Sequence, residues 1–268
     1  MSRDNEIAGA GTFRTSAEAY DRHIGRYGPE LAAALISAAA VQPGQQVLDV
    51  GCGPGALTAA LAGVVGAKRV AAVDPSEPFA EACASRVPGA HVEVAAAEEL
   101  PFADDSFDAS LSQLALNFMG DAGAGVREMR RVTRPGGTVA AAVWDYAGDM
   151  TLLRRFWDAA AALDPAAADL DEGRSMRHCR PDELEALWRD AGLHAVETAA
   201  LSAAADYEDF EDLWRPLESG VGPSGAYVAA LPPQGRALLR SELRGRLDVG
   251  AGPFRLAARA WCVTGRVP

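Results

Sequence analysis

The chain has little of what would mark it for an oxidising compartment, a membrane or a nucleic acid. Its 268 residues include four cysteines, Cys52, Cys83, Cys179 and Cys262. None forms a CxxC pair, and their spacing suggests neither a disulfide framework nor a zinc site. A reducing cytoplasm is therefore the expected compartment, and no metal is expected. No stretch approaches the ~20 apolar residues that a membrane helix requires. The Ala-rich LAAALISAAAV reads instead as a buried or half-buried helix. The N-terminal MSRDNEIAGAGTF carries early charges and no apolar h-region, so it is not expected to act as a secretory signal. Basic residues are scarce too: 25 Lys and Arg stand against 37 Asp and Glu, a formal charge of −12. That balance repels phosphate backbones and anionic lipid, which argues against nucleic acid and membrane surfaces as partners. There is no internal repeat, and no low-complexity tract beyond alanine enrichment.

What remains is a chain with 49% hydrophobic residues, enough for a sizeable core. From about 29 to 145 short apolar runs alternate with helical patterns. QVLDV, RVAAVD, HVEVAA, FDASLSQLAL and TVAAAVW read as strands. Helices are expected at Pro29 to Val41, ALTAALAGVV, PFAEACASR and GVREMRRVTR. Near-continuous apolar strands separated by helices indicate a mostly parallel sheet covered on both faces, a doubly wound, Rossmann-like α/β fold. Beyond Asp145 the alternation loosens. PDELEALWRDAGL is a helix opened by Pro181 and stopped by Gly192. HAVETAAL and RLAARAWCVTGRV read as further strands. Met150 to Leu163, Tyr207 to Leu217 and Gln234 to Leu247 look helical, Gly173 to Arg180 reads as a loop, and GVGPSGAY as a flexible turn. The expected organisation is one domain over 1–268, with a core of about 29–145 plus 181–201 and 255–268. Segments 147–180 and 205–250 would form a helical cap over the ligand crevice, and about 14–28 a helical lid.

The run VLDVGCGPGALTAALA poses the functional question. A dinucleotide fingerprint would read GxGxxG, but the spacing here is Gly51-Cys-Gly53-Pro-Gly55, and Pro54 removes a backbone donor. Asp49 lies inside the first strand, where a carboxylate suits a cationic group such as an α-amino group and suits a diphosphate badly. Asp74, 23 residues past Gly51 at the end of RVAAVD, can accept both hydroxyls of a ribose. Together these residues describe a ligand with a cationic amino-acid end, a ribose and no phosphates, which is S-adenosylmethionine.

VLDVGCGPG, VDPSEPF, AAAEELPFADDSFD and REMRRVTRPGG, in that order, resemble the motifs of class I S-adenosylmethionine-dependent methyltransferases. The similarity is greatest to the small-molecule type related to ubiquinone/menaquinone-biosynthesis methyltransferases, and it covers residues 44–145 well and the tail loosely. The resemblance implies methyl transfer from S-adenosylmethionine to an O, N or C nucleophile of a small molecule, leaving S-adenosylhomocysteine. It implies that Gly51, Cys52 and Gly53 approach the methionine portion, and that Asp49 orders that loop or binds the amino group. Asp74 would take the ribose hydroxyls, with Pro75 and Phe79 near the adenine and Ala97 and Glu98 along its edge. Ser112, Gln113 and Leu114 would line the cofactor past the fourth strand. Two positions depart from the pattern. Many relatives have an acidic residue where this chain has Ala96, so Glu98 or backbone carbonyls would supply that acceptor. Many also have His where this chain has Asn117.

Blander roles compete at several positions. Glu98 and Glu99 also fit a solvated pair, and Cys52 needs only a small side chain, with nothing to mark it as a nucleophile. Tyr20 in the N-terminal helix either touches the ligand or packs, and Arg26 either meets the cofactor carboxylate or lies at the surface. The candidates for assisting catalysis are His23, Asn117 and His178, although a reactive sulfonium makes a general base optional. Trp144 and Tyr146 end the fifth strand as packing or as a stacking platform for substrate; Trp157, Trp188 and Trp214 read as core. Two other functions stay open: a protein that holds S-adenosylmethionine or S-adenosylhomocysteine without turnover, and a nicotinamide-dependent oxidoreductase.

Overall fold

The computed structural model describes residues 17–220 and 222–268; residues 14–16 of the expected lid lie outside these. The central strand β1 (Val47–Val50) is buried along its whole length and pairs in parallel with β2 (Val70–Asp74) on one side. On its other side it pairs with β4 (Phe107–Gln113). Parallel β3 (His91–Val94) lies outside β2, and parallel β5 (Thr133–Trp144) beside β4. The C-terminal strands β6 (His194–Tyr207) and β7 (Phe254–Arg266) finish a seven-stranded sheet of order β3-β2-β1-β4-β5-β7-β6. Only β7 runs antiparallel to its neighbours, so the mostly parallel, doubly wound architecture expected from the apolar runs is present.

In chain order the helices are α1 (Ala17–Arg22), α2 (Gly28–Ala38), α3 (Ala56–Val65), α4 (Glu77–Arg86) and α5 (Ala122–Val132). They continue with α6 (Thr151–Leu163), α7 (Glu172–Ser175), α8 (Pro181–Asp190), α9 (Phe210–Glu218), α10 (Gly222–Ala230) and α11 (Pro233–Leu247). Helices α2, α3 and α4 pack side by side as one layer, and α5 packs with α8 as another. The chain turns away from β1 in both directions, towards β2 and towards β4, so a crevice opens at the carboxyl ends of these two strands. Local chemistry fixes the entries. The Asp121 carboxylate caps α5 by accepting from the Ala124 N–H (2.9 Å), and Asp209 caps α9 through the Asp212 N–H (2.9 Å).

Helices α6, α9, α10 and α11, the segment expected as a cap, pack together, α6 against α11 and α10 against both α9 and α6, and α6 and α10 reach the crevice end through Leu153 and Ser224. The contact between α6 and α10 is aromatic: Phe156 and Trp157 meet Tyr227 at 6.2 and 5.7 Å. Arg26, in the turn after α1, grips the Asp212 carboxylate of α9 at 2.6 and 2.5 Å and lies over the Tyr207 ring. It thus ties the N-terminal segment to the cap instead of reaching the crevice.

Three boundaries differ from expectation. Tyr207 ends β6, stacked on Phe254 across the hairpin at 5.2 Å, and does not open a helix. The loop expected from Gly173 starts inside α7. The expected turn GVGPSGAY is largely helix α10. Glycine content signals a break because it raises the backbone entropy lost on folding, but here Gly225 is a contact surface. A Cβ there would lie 2.7 Å from the Gly220 carbonyl carbon. At an exposed helical site Gly→Ala stabilises by ~1 kcal/mol. Gly225→Ala is expected instead to destabilise by roughly 1–3 kcal/mol, the usual cost of overpacking, measured as a lower midpoint in urea unfolding.

Candidate active site

The glycine loop after β1 is held by its backbone. Gly51, Gly53 and Gly55 have φ of 75°, 52° and 95°, the left-handed region that glycine adopts without strain. Gly51 also permits a close approach: a Cβ there would fall 2.3 Å from the Ala115 Cβ. The N–H groups of Gly51 and Cys52 both donate to the Val73 carbonyl, at 2.8 and 2.9 Å. Asp74 then joins two loops, its Oδ2 accepting from the Gly53 N–H (2.8 Å) and its Oδ1 from the Ser76 N–H (2.9 Å). Each of these oxygens keeps a lone pair for a ligand.

Asp49 is fully buried. Its Oδ2 accepts from the Thr58 hydroxyl at 2.6 Å, while its Oδ1 has no partner. Burial pushes the carboxyl up to about 8, with Cys83 and Asp74 adding to the rise and the Thr58 hydrogen bond opposing it. Across the crevice the Gln113 amide donates to the Gly28 carbonyl (3.2 Å), and its Oε1 is likewise buried without a partner.

These groups line a cavity of about 360 Å³, a size suited to a small organic ligand. Its charged lining is acidic, Asp49, Asp74 and Glu98, and among the described residues no Lys, Arg or His lines it. Two orphaned acceptors and three carboxylates call for a ligand rich in donors and positive charge. A pyrophosphate would meet like charge without a counter-ion. A ligand with an ammonium group, ribose hydroxyls and a cationic centre fits the donor set.

The cavity brings together Tyr20, Asp49, Gly51, Cys52, Gly53, Asp74 and Pro75 with Phe79, Ala97, Glu98, Gln113 and Leu114. Tyr20 and Phe79 meet at 5.9 Å. Glu98 also has a structural partner, accepting from the Asp121 N–H at 3.0 Å. Leu114 has φ of 60°, unusual for a branched side chain, at the point where β4 ends in the crevice. The buried Cys52 thiol lies beside Cys83, whose Sγ is 3.3 Å from the Thr58 hydroxyl. Ser112 is not brought in: its hydroxyl is buried within β4 with no partner, away from the lining.

A second, narrower cavity of about 30 Å³ shares Tyr20, Leu114 and Phe118 with the first and extends under the cap. Of the catalytic candidates only His23 lines it. Burial, aided by the charge of Arg26, lowers the His23 imidazole to about 4, so it is neutral near pH 7. Asn117 points its amide at the Met176 sulfur (3.6 Å), and His178 is half-buried before α8; neither lines a cavity. Glu172 was missed because it sits in the acidic run DLDEGRS, which reads as a solvated loop. It is 5% exposed, and its Oε2 accepts from the Trp157 Nε1–H at 3.0 Å. Burial raises its carboxyl to about 7, with Asp171 adding and Trp157 and Arg154 opposing.

Fold, loop and acceptor set resemble those of class I S-adenosylmethionine-dependent methyltransferase domains. Residues 48–141 match the family model described as "Methyltransferase domain", and this segment belongs to that family. A malonyl-[acyl-carrier protein] O-methyltransferase of Pseudescherichia vulneris is 34% identical over 161 residues, 59% of this chain and 62% of that protein. Methyltransferase GfsG of Streptomyces halstedii is 36% identical over 168 residues, 60% of this chain and 57% of that protein. The chain thus spans about three-fifths of the length of these curated relatives. A Haemonchus contortus phosphoethanolamine-type N-methyltransferase, solved with S-adenosylhomocysteine, shares the fold at a TM-score of 0.58 and 17% identity, over 94% of this chain and 57% of that one.

The unpaired oxygen of Asp49 has a measurable consequence. Without ligand the carboxyl is mostly protonated at pH 7, because its pKa lies near 8. Pairing with a ligand ammonium requires the carboxylate, so binding is linked to proton release and strengthens as pH rises from 6 to 8. Calorimetry of S-adenosylhomocysteine binding in buffers of different ionisation enthalpy should show close to one proton released at pH 7. Asp49→Asn should abolish that release and weaken binding by ~10-fold or more.

Proposed function

We propose that the whole protein transfers a methyl group from S-adenosylmethionine to a nucleophilic atom of a small molecule. The observation that carries this reading is the acidic cavity with two orphaned buried acceptors, Asp49 Oδ1 and Gln113 Oε1, and no basic side chain among its described lining residues. When bound, S-adenosylmethionine supplies a methyl group on a cationic sulfur, open to in-line displacement. Asp49 and Gln113 would hold the ammonium group, and the spare lone pairs of Asp74 the ribose hydroxyls. Phe79, Pro75 and Ala97 would flank the adenine. The free oxygen of Glu98 would accept from its amino group in place of the residue that Ala96 does not provide. Asp74 has a second duty, since its bonds to Gly53 and Ser76 preform the loop that receives the ligand.

The protein's own contribution to rate is then position and exclusion of water. The cap and the Arg26–Asp212 latch close the crevice on the side away from the sheet. The charge of the first cavity disfavours a nicotinamide dinucleotide. A second cavity that shares Tyr20, Leu114 and Phe118 with the first, and carries buried polar side chains, is what transfer needs and what mere retention of the cofactor does not. Four unpaired, buried cysteines fit a reducing cytoplasm.

Thermal unfolding with S-adenosylhomocysteine, S-adenosylmethionine or NAD tests the cofactor. At ~100 times its dissociation constant a ligand adds about 2.7 kcal/mol to the folded state. The adenosyl ligands should stabilise the protein and NAD should not. Asp74→Asn keeps one acceptor but loses charge and a loop tie, and should weaken S-adenosylhomocysteine binding by ~10–100-fold. Stabilisation by NAD alone would overturn the reading.

A further inference from the structure

The second cavity holds polar groups that cofactor binding leaves unused. Trp144, 1% exposed, has an Nε1–H with no hydrogen-bond partner among the described residues. Glu172 commits one carboxylate oxygen to Trp157. His23 and Ser224 are buried, and Tyr146 and Leu153 complete the wall. Among the described residues no Lys or Arg lines this cavity. Arg154, the cation whose charge reaches Glu172, is already engaged by Asp171 at 2.7 and 3.1 Å and by Asp158 at 3.1 Å.

Each class of acceptor meets this wall differently. A carboxylate would satisfy the Trp144 donor but face Glu172 with no counter-ion. An ammonium group would suit Glu172 but has no lone pair for Trp144. A neutral hydroxyl satisfies both, accepting from the indole N–H and donating to the carboxylate.

We propose that this cavity is the acceptor site of the methyl transfer inferred above, that it takes an uncharged alcohol or phenol, and that Glu172 accepts the hydroxyl proton. The acceptor oxygen forms its bond to the methyl carbon as the carbon–sulfur bond breaks, with that electron pair going to sulfur. The O–H proton passes to the Glu172 carboxylate and from there to solvent, so no oxidant or further reactant is required. Burial keeps the Glu172 carboxyl near 7, a range in which a carboxylate both accepts and returns a proton. His23, held neutral by the same burial, leaves the site without a competing positive charge.

The test uses 4-fluorophenol and 4-fluorobenzoate as probes, followed by fluorine NMR on protein saturated with S-adenosylhomocysteine. Wild type should bind the phenol at least ~10-fold more tightly than the benzoate. Trp144→Phe should weaken phenol binding by ~5–10-fold, the loss of one buried hydrogen bond. Glu172→Gln keeps an acceptor for Trp157 but removes the charge, and should bring the two affinities within ~3-fold of each other. With S-adenosylmethionine and the phenol, Glu172→Gln should lower kcat by ~10²–10⁴-fold with KM little changed. Preference for the benzoate, no binding of either probe, or a selectivity that Glu172→Gln leaves unmoved would overturn the proposal. Should Glu172→Gln fail to fold, the wild-type preference and Trp144→Phe still decide it. If S-adenosylhomocysteine itself does not bind, the underlying methyltransferase reading fails instead.

Discussion

A carboxylate buried at the end of the central strand, with one oxygen unpaired, is the constraint on which the rest of the site depends. Removing a charge from water costs several kcal/mol when nothing compensates it, and Thr58 satisfies only one side of Asp49. The second oxygen remains in the crevice wall, together with the orphaned Gln113 Oε1. The fold keeps this arrangement because β1 is anchored on both sides by parallel pairing with β2 and β4. The loop after β1 is likewise fixed by two bonds to one carbonyl and by Asp74. Burial therefore keeps Asp49 mostly protonated in the unliganded site, and a ligand cation that draws it into the ionised form supplies the partner that its second oxygen lacks.

The same reasoning explains how much could be read in advance. Continuous apolar runs such as VLDV and VAAVD are legible as buried parallel strands, because only a sheet covered on both faces buries every residue. Asp49 and Asp74 are legible because a carboxylate in or at the end of such a run has no packing role. The cap obeys different rules. Its helices are held by contacts between segments distant in sequence, as when Arg26 grips Asp212, or Phe156 and Trp157 meet Tyr227. Gly225 misleads for that reason: its local propensity says turn, but Gly220 packed against it favours the helix.

The acceptor region was the least legible part. Glu172 occurs among acidic neighbours, and nothing local separates it from Asp169 or Asp171. Only the fold shows that Asp171 turns to Arg154 while Glu172 turns inward to Trp157. Ser112 shows the converse. Strand alternation puts its side chain on the opposite face from Gln113, which lines the cavity, while Leu114 reaches the cavity from beyond the strand's end, where its backbone turns left-handed.

The two cavities divide the electrostatic work. Among the described residues the first has three acidic side chains and no basic ones, a field that would attract the proposed cationic cofactor and hold its neutral product less firmly. Transfer therefore removes positive charge from the first cavity and, with a hydroxyl acceptor, liberates a proton in the second. A strongly acidic carboxyl there would take that proton poorly, and a strongly basic group would already be cationic, repelling the sulfonium that must approach. A carboxylate raised by burial avoids both faults: it is anionic enough to accept the proton and becomes neutral as it does so. In the proposed transfer, the proton released as sulfur loses its charge thus comes to rest on a group that becomes neutral by taking it.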